Sequence, residues 1–455
     1  MTIVAAVDCG ATSVRVCRVD LDASPLVPEV VHRVPHGPVR DDAGHLRWDW
    51  DSIIAAVVDG LEACLERGPL HSIGVDTWAV DYGLLDGASQ LLSAPYSYRD
   101  HRTDGYRQLV DEFGAAELYR RNGLQLQPFN TIFQLAVHAR SELERAERLL
   151  WLPELIVHAL TGVAATERTS AGSSGLLTVG TDTWDPSLVS LAGIDSGLLG
   201  IPQAAGTIVG EWRGVPVALV GGHDTASAVA GMGAVAPGGS AFVASGTWML
   251  AGVERAEPDT SEWARERNFT NEAAALGGIR FLRNVTGFWL LEQCRPAWGD
   301  PAIDTLVAQA EAVTGAVPVV DVDHDELRSP DDMLTAYTRL AGLPIDAAPG
   351  LVTRSIVESV AARTAEVVAQ VRDVEAVDDI VLFGGAARMG LLRQRLAEVT
   401  GLPVRVGSAE AAALGNALVQ GVAIGRYRDL AEGRADLGSP PMSINDSATD
   451  SNEAV

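Results

Sequence analysis

The stretch "AAVDCGATSVRVCRVD", residues 5–20, decides how this chain is read. Apolar and polar residues alternate on both sides of a short break, which predicts two strands joined by a turn: "IVAAVD" ends at Asp8, "CGATS" turns, and "VRVCRVD" returns. The break holds a carboxylate (Asp8), a glycine (Gly10), two hydroxyls (Thr12 and Ser13) and then a cation (Arg15). Successive N–H groups and hydroxyls in such a turn can face one concavity and suit phosphate oxygens. Asp8 at the strand end suits hydrated magnesium, which prefers a carboxylate with waters and substrate phosphates. A plain β-turn after a small-residue strand accounts for the same residues equally well.

Working outward, further strands are predicted at "SIGVD" (72–76), "VPVALVG" (215–221), "AFVA" (241–244) and "DIVLFGG" (379–385). Helical periodicity marks 50–68, 335–343, 352–372 and 389–401. Strands alternating with helices imply an α/β architecture in which helices cover the sheets. At 455 residues the chain exceeds what one core supports, so two domains are expected. The glycine-rich "GMGAVAPGG" (231–239) marks the boundary, giving domains at 1–235 and 236–427. Just after it, "FVASGTWML" (242–250) echoes the opening strand and turn, so each domain offers a Gly-and-Thr turn. Residues 428–455, ending in the polar "GSPPMSINDSATDSNEAV", are expected to be a disordered tail.

Charge narrows the partners. Sixty acidic residues against 34 basic ones give a formal net charge of −26, which repels a polyanion and argues against nucleic acid. No run approaches the roughly 18 apolar residues of a membrane span, and no N-terminal leader pattern is evident, so a cytoplasmic protein without a membrane partner is expected. The chain contains no lysine at all, which excludes a Walker A loop, a protein-kinase strand lysine and a Schiff-base lysine. Cys9, Cys17, Cys64 and Cys294 lack zinc-site spacing and read as small apolar residues, and no HExxH pair is present.

Three segments carry candidate chemistry. "GGHDTASAVAG" (221–231) follows a strand and opens a helix at Asp224, which reads either as an N-cap or as a general base beside a turn that lets a ligand come close. "GVDTWAVDYGLLD" (74–86) sets Asp76, Thr77, Trp78 and Asp81 past a strand end, a mixture that suits a polyhydroxylated ligand, although a strand end with a core tryptophan is the preferred reading of these residues alone. "LFGGAARMG" (382–390) ends a strand at two glycines, either for a nucleotide or for a tight turn. "GMGAVA" (231–236) fits GxGxxA but follows a helical pattern, so a linker is the better reading than a dinucleotide site.

Taken in order, "VDCGATSVRV", "WDWDSI", "GVDTWAVDYGLLD", "YRDHRTDG", "NGLQLQPFNTIFQL", "GGHDTASAV", "ASGTWMLAG", "NFTNEAA", "NVTGFWLLEQ" and "LFGGAARMG" resemble the FGGY carbohydrate kinase family of the actin-like ATPase superfamily. The resemblance runs from about residue 3 to about 425, and "DTWAVDYGLLD", "YRDHRTDG", "PFNTIFQL" and "HDTASAV" resemble the branch that phosphorylates L-rhamnulose. It implies two actin-like (ribonuclease H-like) ATPase domains flanking a central cleft that closes over the sugar, with ATP and magnesium (Mg2+) as cofactors. The N-terminal domain would bind the sugar and carry the phosphate loop, and the C-terminal one would bind the nucleotide.

By resemblance, Asp224 is the proton acceptor, and Ala79, His223, Thr225 and Asn284 contact the sugar. Ala11, Thr12, Ser13, Val14 and Arg15 form the first phosphate loop, Thr247, Glu292 and Gly385 belong to the ATP site, and Asp8 organises magnesium through water. Three positions depart from the pattern: Ala79 replaces a glycine, Glu292 replaces a glutamine, and "GGAARM" replaces a three-glycine turn followed by a polar pair. The expected reaction gives L-rhamnulose 1-phosphate and ADP. Kinases for L-fuculose or L-xylulose, and a non-catalytic ATP-binding protein of the same superfamily, are the alternatives.

Overall fold

The computed structural model describes residues 1–245, 248–328 and 330–437. Thr247, and the tail beyond 437, lie outside the described residues. The chain divides into two compact units: 1–233 with Glu254–Phe281 and the described residues from Glu410 on, and 234–253 with 282–409. The change of unit at 233/234 falls close to the expected boundary, but two later segments return to the first unit. One of them carries the helix Leu430–Asp436, where a tail was expected to begin at 428. Arg434 fixes that helix, pairing with Glu254 at 2.8 Å and donating to the Ala230 carbonyl at 3.0 Å.

In the first unit a six-stranded mixed sheet runs in the order Glu29–Pro35, Ser13–Asp20, Ile3–Gly10, Ser72–Thr77, Val215–Ala218, Ile208–Trp212. The opening stretch is the expected hairpin: Ile3–Gly10 pairs antiparallel with Ser13–Asp20 and parallel with Ser72–Thr77. Side chains alternate across a sheet, and here the alternation sorts the chemistry. Ala5, Val7 and Cys9 enter the core formed with helix Trp50–Glu66. Val4 and Ala6 turn to the other face, where Leu414, Ala417 and Ala413 of helix Ala411–Ala423 meet them. Asp8 therefore belongs to the face of helix Ala411–Ala423. Between strands Ser72–Thr77 and Ile208–Trp212 the chain builds a mainly helical region with its own core around Tyr106, Leu118, Phe133 and Trp151.

A second six-stranded sheet runs in the order Thr270–Ala273, Ile279–Thr286, Trp248–Arg255, Ser240–Ser245, Asp379–Phe383, Val404–Val406. Ser240–Ser245 pairs antiparallel with Trp248–Arg255 and parallel with Asp379–Phe383, repeating the hairpin-plus-parallel-strand pattern of the first unit. The helices Pro349–Arg372 and Gly390–Thr400 lie where periodicity predicts them.

Candidate active site

Asp8 and Asp76 are register partners on adjacent parallel strands and point to the same face. After the third strand, Val215–Ala218, the chain runs on to Gly222, whose carbonyl accepts from the Thr77 N–H at 2.8 Å. His223 and Asp224 follow at once. Three carboxylates thus gather at the C-terminal ends of three neighbouring parallel strands, the place where open α/β sheets bind ligands.

The helix Asp224–Ala230 bears on the capping reading of Asp224. Its N-cap is His223 with no side-chain capping bond, and Asp224 is the first helical residue, so its carboxylate does not cap the helix. That carboxylate accepts from Thr225 Oγ1 at 3.2 Å, lies 3.5 Å from His223 Nε2, and is about one-third exposed. The turn before it is tied down from behind: Glu167 accepts the Gly222 N–H and Thr169 Oγ1 the His223 N–H, both at 3.1 Å. Gly231, at the end of the helix, and Gly415 are crossing points with helix Ala411–Ala423, since a Cβ on either would meet backbone atoms within 2.3 Å. "GMGAVA" accordingly begins with a packing glycine rather than a nucleotide loop.

Around Asp8 the charges are dense. Arg15 Nη2 stands 2.7 Å from Asp8 and its Nη1 donates to Glu410 at 2.8 Å. Asn416 donates to Asp76 at 2.6 Å, with its own oxygen held by Gln420 at 2.7 Å. Gly74 lets that helix approach, because a Cβ there would fall 2.4 Å from the Asn416 side-chain oxygen. Burial pushes Asp8 up to about 6; Arg15 opposes the rise, and the Asp224 and Glu410 carboxylates add to it. Burial and then the Asp8 charge raise Asp76 well above the usual carboxylate range. On the far side of His223, Glu272 is buried; against that desolvation the Arg280 guanidinium holds it at about 2.

The sign of the Asp8 shift gives a test. Its folded value exceeds the unfolded one of about 3.9, so between about pH 4 and 6 the native state holds a proton that the unfolded chain has released. Stability then falls as pH rises through that window. In chelator, without nucleotide, Asp8→Asn is expected to raise the thermal midpoint at pH 7 and to lose that advantage near pH 4. A lowered midpoint at pH 7 would show that the ion pair with Arg15 outweighs the cost of burying the carboxylate.

The remaining candidates fall as follows. Ala11 and Thr12 form the turn and Ser13, Val14 and Arg15 open the returning strand, with Thr12 exposed and Ser13 half-buried. Ala79 is half-buried in a loop that Val80 enters with φ 72°, a strained conformation for a β-branched residue. Thr131 Oγ1 holds that loop by donating to the Val80 carbonyl at 2.7 Å. Trp78 and Asp81 follow the bland reading: Trp48 and Trp78 are buried with centroids 4.2 Å apart, and their indole N–H groups donate to Asp81 at 2.7 and 2.9 Å. All these residues, with Asp8, His223, Asp224 and Thr225, belong to the first unit.

Asn284, Glu292 and Gly385 belong to the second unit. Glu292, on helix Trp289–Cys294, pairs with Arg295 at 2.6 Å, which offsets its charge. In the strand-end turn the strict glycine is Gly384: its φ is 89°, and a Cβ would meet the Ser245 carbonyl oxygen at 2.5 Å. Gly385 opens the following turn with nothing within 4 Å of a Cβ. Sequence reasoning missed Glu410, Asn416, Glu272 and Arg280. Arg280 and Asn416 leave a local signal, a charged or amide residue inside an otherwise apolar element, as in "GGIRFL" and "LGNALVQG"; Glu272 and Glu410 leave none.

Among the described residues no cluster of three or more His, Cys, Asp or Glu forms a ready metal cage. The donor chemistry nonetheless fits magnesium, which takes one or two carboxylates and fills its shell with water and phosphate. Both Asp8 carboxylate oxygens are buried without an aligned hydrogen-bond donor.

Residues 3–233 match the N-terminal domain of the FGGY family of carbohydrate kinases and residues 241–424 its C-terminal domain. The chain is 35% identical to a rhamnulokinase of Bacteroides thetaiotaomicron, covering 94% of this chain and 92% of that one. It is 34% identical to a rhamnulokinase of Enterococcus faecalis, covering 94% and 91%. In fold it is similar to a ligand-bound xylulose kinase from Lactobacillus acidophilus, with a TM-score of 0.81 at 17% identity over 97% of this chain and 93% of that one. Both family domains in order, together with full-length likeness to curated members, show that the chain belongs to the FGGY family of carbohydrate kinases.

Proposed function

We propose that the chain transfers the γ-phosphoryl of ATP to the 1-hydroxyl of L-rhamnulose, giving L-rhamnulose 1-phosphate and ADP. The observation that carries this reading is the uncapping Asp224 carboxylate at the end of the central strands, in a chain similar over nearly its whole length to two rhamnulokinases. Asp224 accepts the hydroxyl proton as the sugar oxygen bonds to phosphorus and the bond to the ADP oxygen breaks. His223, Thr225, Asn284 and the loop at Ala79 hold the sugar. Backbone N–H groups and hydroxyls from Ala11 to Arg15 receive phosphate oxygens, Thr247, Glu292 and Gly385 serve the nucleotide, and Asp8 holds magnesium through water. Magnesium, when bound, neutralises phosphate charge. Arg15 takes the place a lysine fills in other nucleotide sites, and its guanidinium is held between Asp8 and Glu410.

A second reading, a kinase for another ketose, is favoured by the extra methyl of Ala79 in the strained loop. The two are separated by ADP release with magnesium and ATP across L-rhamnulose, L-fuculose, L-xylulose, D-xylulose and glycerol. Release is expected to be strongest with L-rhamnulose. A preference for a different ketose would select the second reading, and no sugar-dependent release at all would contradict both.

A further inference from the structure

Behind His223, on the side away from Asp224, lies a buried ion pair that the phosphoryl transfer does not use. Arg280, on strand Ile279–Thr286, is wholly buried, with Nη2 3.0 Å from Glu272 Oε2. The same nitrogen lies 3.1 Å from His223 Nδ1, while Glu272 Oε2 lies 3.3 Å from it. These neighbours make opposite demands on the imidazole. A guanidinium can only donate, so it requires a bare Nδ1; a carboxylate can only accept, so it requires a proton there.

The geometry favours the arginine. Its N–H is directed at Nδ1 at the shorter distance. Glu272 Oε2 has no aligned donor, from His223 or from elsewhere, and its charge is already offset by Arg280. We infer that Arg280 is a positioning residue that fixes the His223 proton on Nε2, so that the ring can only donate on its substrate side. His223 Nε2 lies 3.5 Å from Asp224 Oδ1, and the catalytic consequence rests on the function proposed above. A sugar hydroxyl beside both groups must accept from Nε2–H. Its own hydrogen is then left to point at the Asp224 carboxylate, the direction in which it leaves. The imidazole passes no proton; it orients one.

The tautomer can be read without any activity. Histidine labelled with 15N gives distinct ring-nitrogen shifts for Nε2–H and Nδ1–H rings, and the His223 signals are identified by their loss in His223→Gln. In the wild-type protein, without ligand, the Nε2–H pattern is expected. Glu272→Gln should keep it, because Arg280 remains, whereas Arg280→Met should move the proton to Nδ1, where Glu272 becomes the sole partner. An Nδ1–H pattern in the wild type overturns the inference even if Arg280→Met fails to fold, as does loss of the Nε2–H pattern in Glu272→Gln. For kinetics, Arg280→Met is expected to lower kcat/KM for the sugar about tenfold, the loss of roughly one hydrogen bond, with the KM for ATP unchanged. Equal losses toward sugar and ATP would indicate a merely structural role. The Nε2–H pattern together with silence on every sugar would leave the tautomer standing and defeat the proposed function instead.

Discussion

Asp224→Asn is expected to lower kcat about 10²- to 10⁴-fold, the usual contribution of a positioned general base, while leaving ATP binding and the thermal midpoint near those of the parent. The amide has the shape of the carboxylate and loses one capacity, that of taking a proton. Stability should be spared because Asp224 does not cap its helix, and its partners are a neighbouring hydroxyl at 3.2 Å and an imidazole nitrogen at 3.5 Å. Steady-state ADP release with L-rhamnulose, alongside nucleotide-binding calorimetry and a melting curve, separates the two effects. Turnover within a few-fold of the parent would remove Asp224 from the base role. A collapsed midpoint would instead make it structural.

Gly415→Ala is expected to be the most damaging single methyl in the first unit. The added Cβ would lie 1.7 Å from the Ser227 carbonyl oxygen and 2.6 Å from the Gly231 backbone nitrogen. Both are backbone atoms, so no rotamer change relieves the clash, and the helices Asp224–Ala230 and Ala411–Ala423 must separate. Overpacking of this kind costs about 1–3 kcal/mol and sometimes more. The second consequence concerns catalysis, because the displaced helix begins at Asp224, and a shift of about 1 Å at a reacting group can cost about 10²-fold in rate. The variant should therefore lose several degrees of thermal midpoint and a large part of kcat together. Gly37→Ala, where a Cβ meets nothing within 4 Å, should change neither. A Gly415→Ala enzyme with the parent's midpoint and kcat would show that the helix crossing does not position the carboxylate.

What the sequence discloses and what it withholds divide along the range of the interactions. The hairpin at residues 3–20 is legible because its alternation and its turn are local. The long helix Pro349–Arg372 is legible because its apolar period is local too. Asp224 could be singled out as a residue but not assigned, since capping and catalysis call for the same aspartate at the same place; only the backbone, with His223 as N-cap, removes the capping reading. The environment of the site was not legible. Arg15 meets Glu410 across 395 positions of chain, Asp76 meets Asn416 across 340, and His223 meets Arg280 across 57. No periodicity records such pairings. The same reason accounts for the return of 254–281 to the first unit, and for the helix Leu430–Asp436, whose polar sequence reads as tail until Arg434 finds Glu254. Trp78 and Asp81 follow the core reading that the sequence also allowed, since both indole N–H groups of Trp48 and Trp78 are satisfied by Asp81.

The central claim is a phosphoryl group delivered to one hydroxyl of one sugar, and the product tests it most directly. Phosphorus and carbon NMR of the product formed from L-rhamnulose and ATP should show phosphate on C1, coupled to the C1 methylene protons, with an equal amount of ADP and no product from the Asp224→Asn enzyme. Phosphate on another carbon, or ADP accompanied only by inorganic phosphate, would contradict the account.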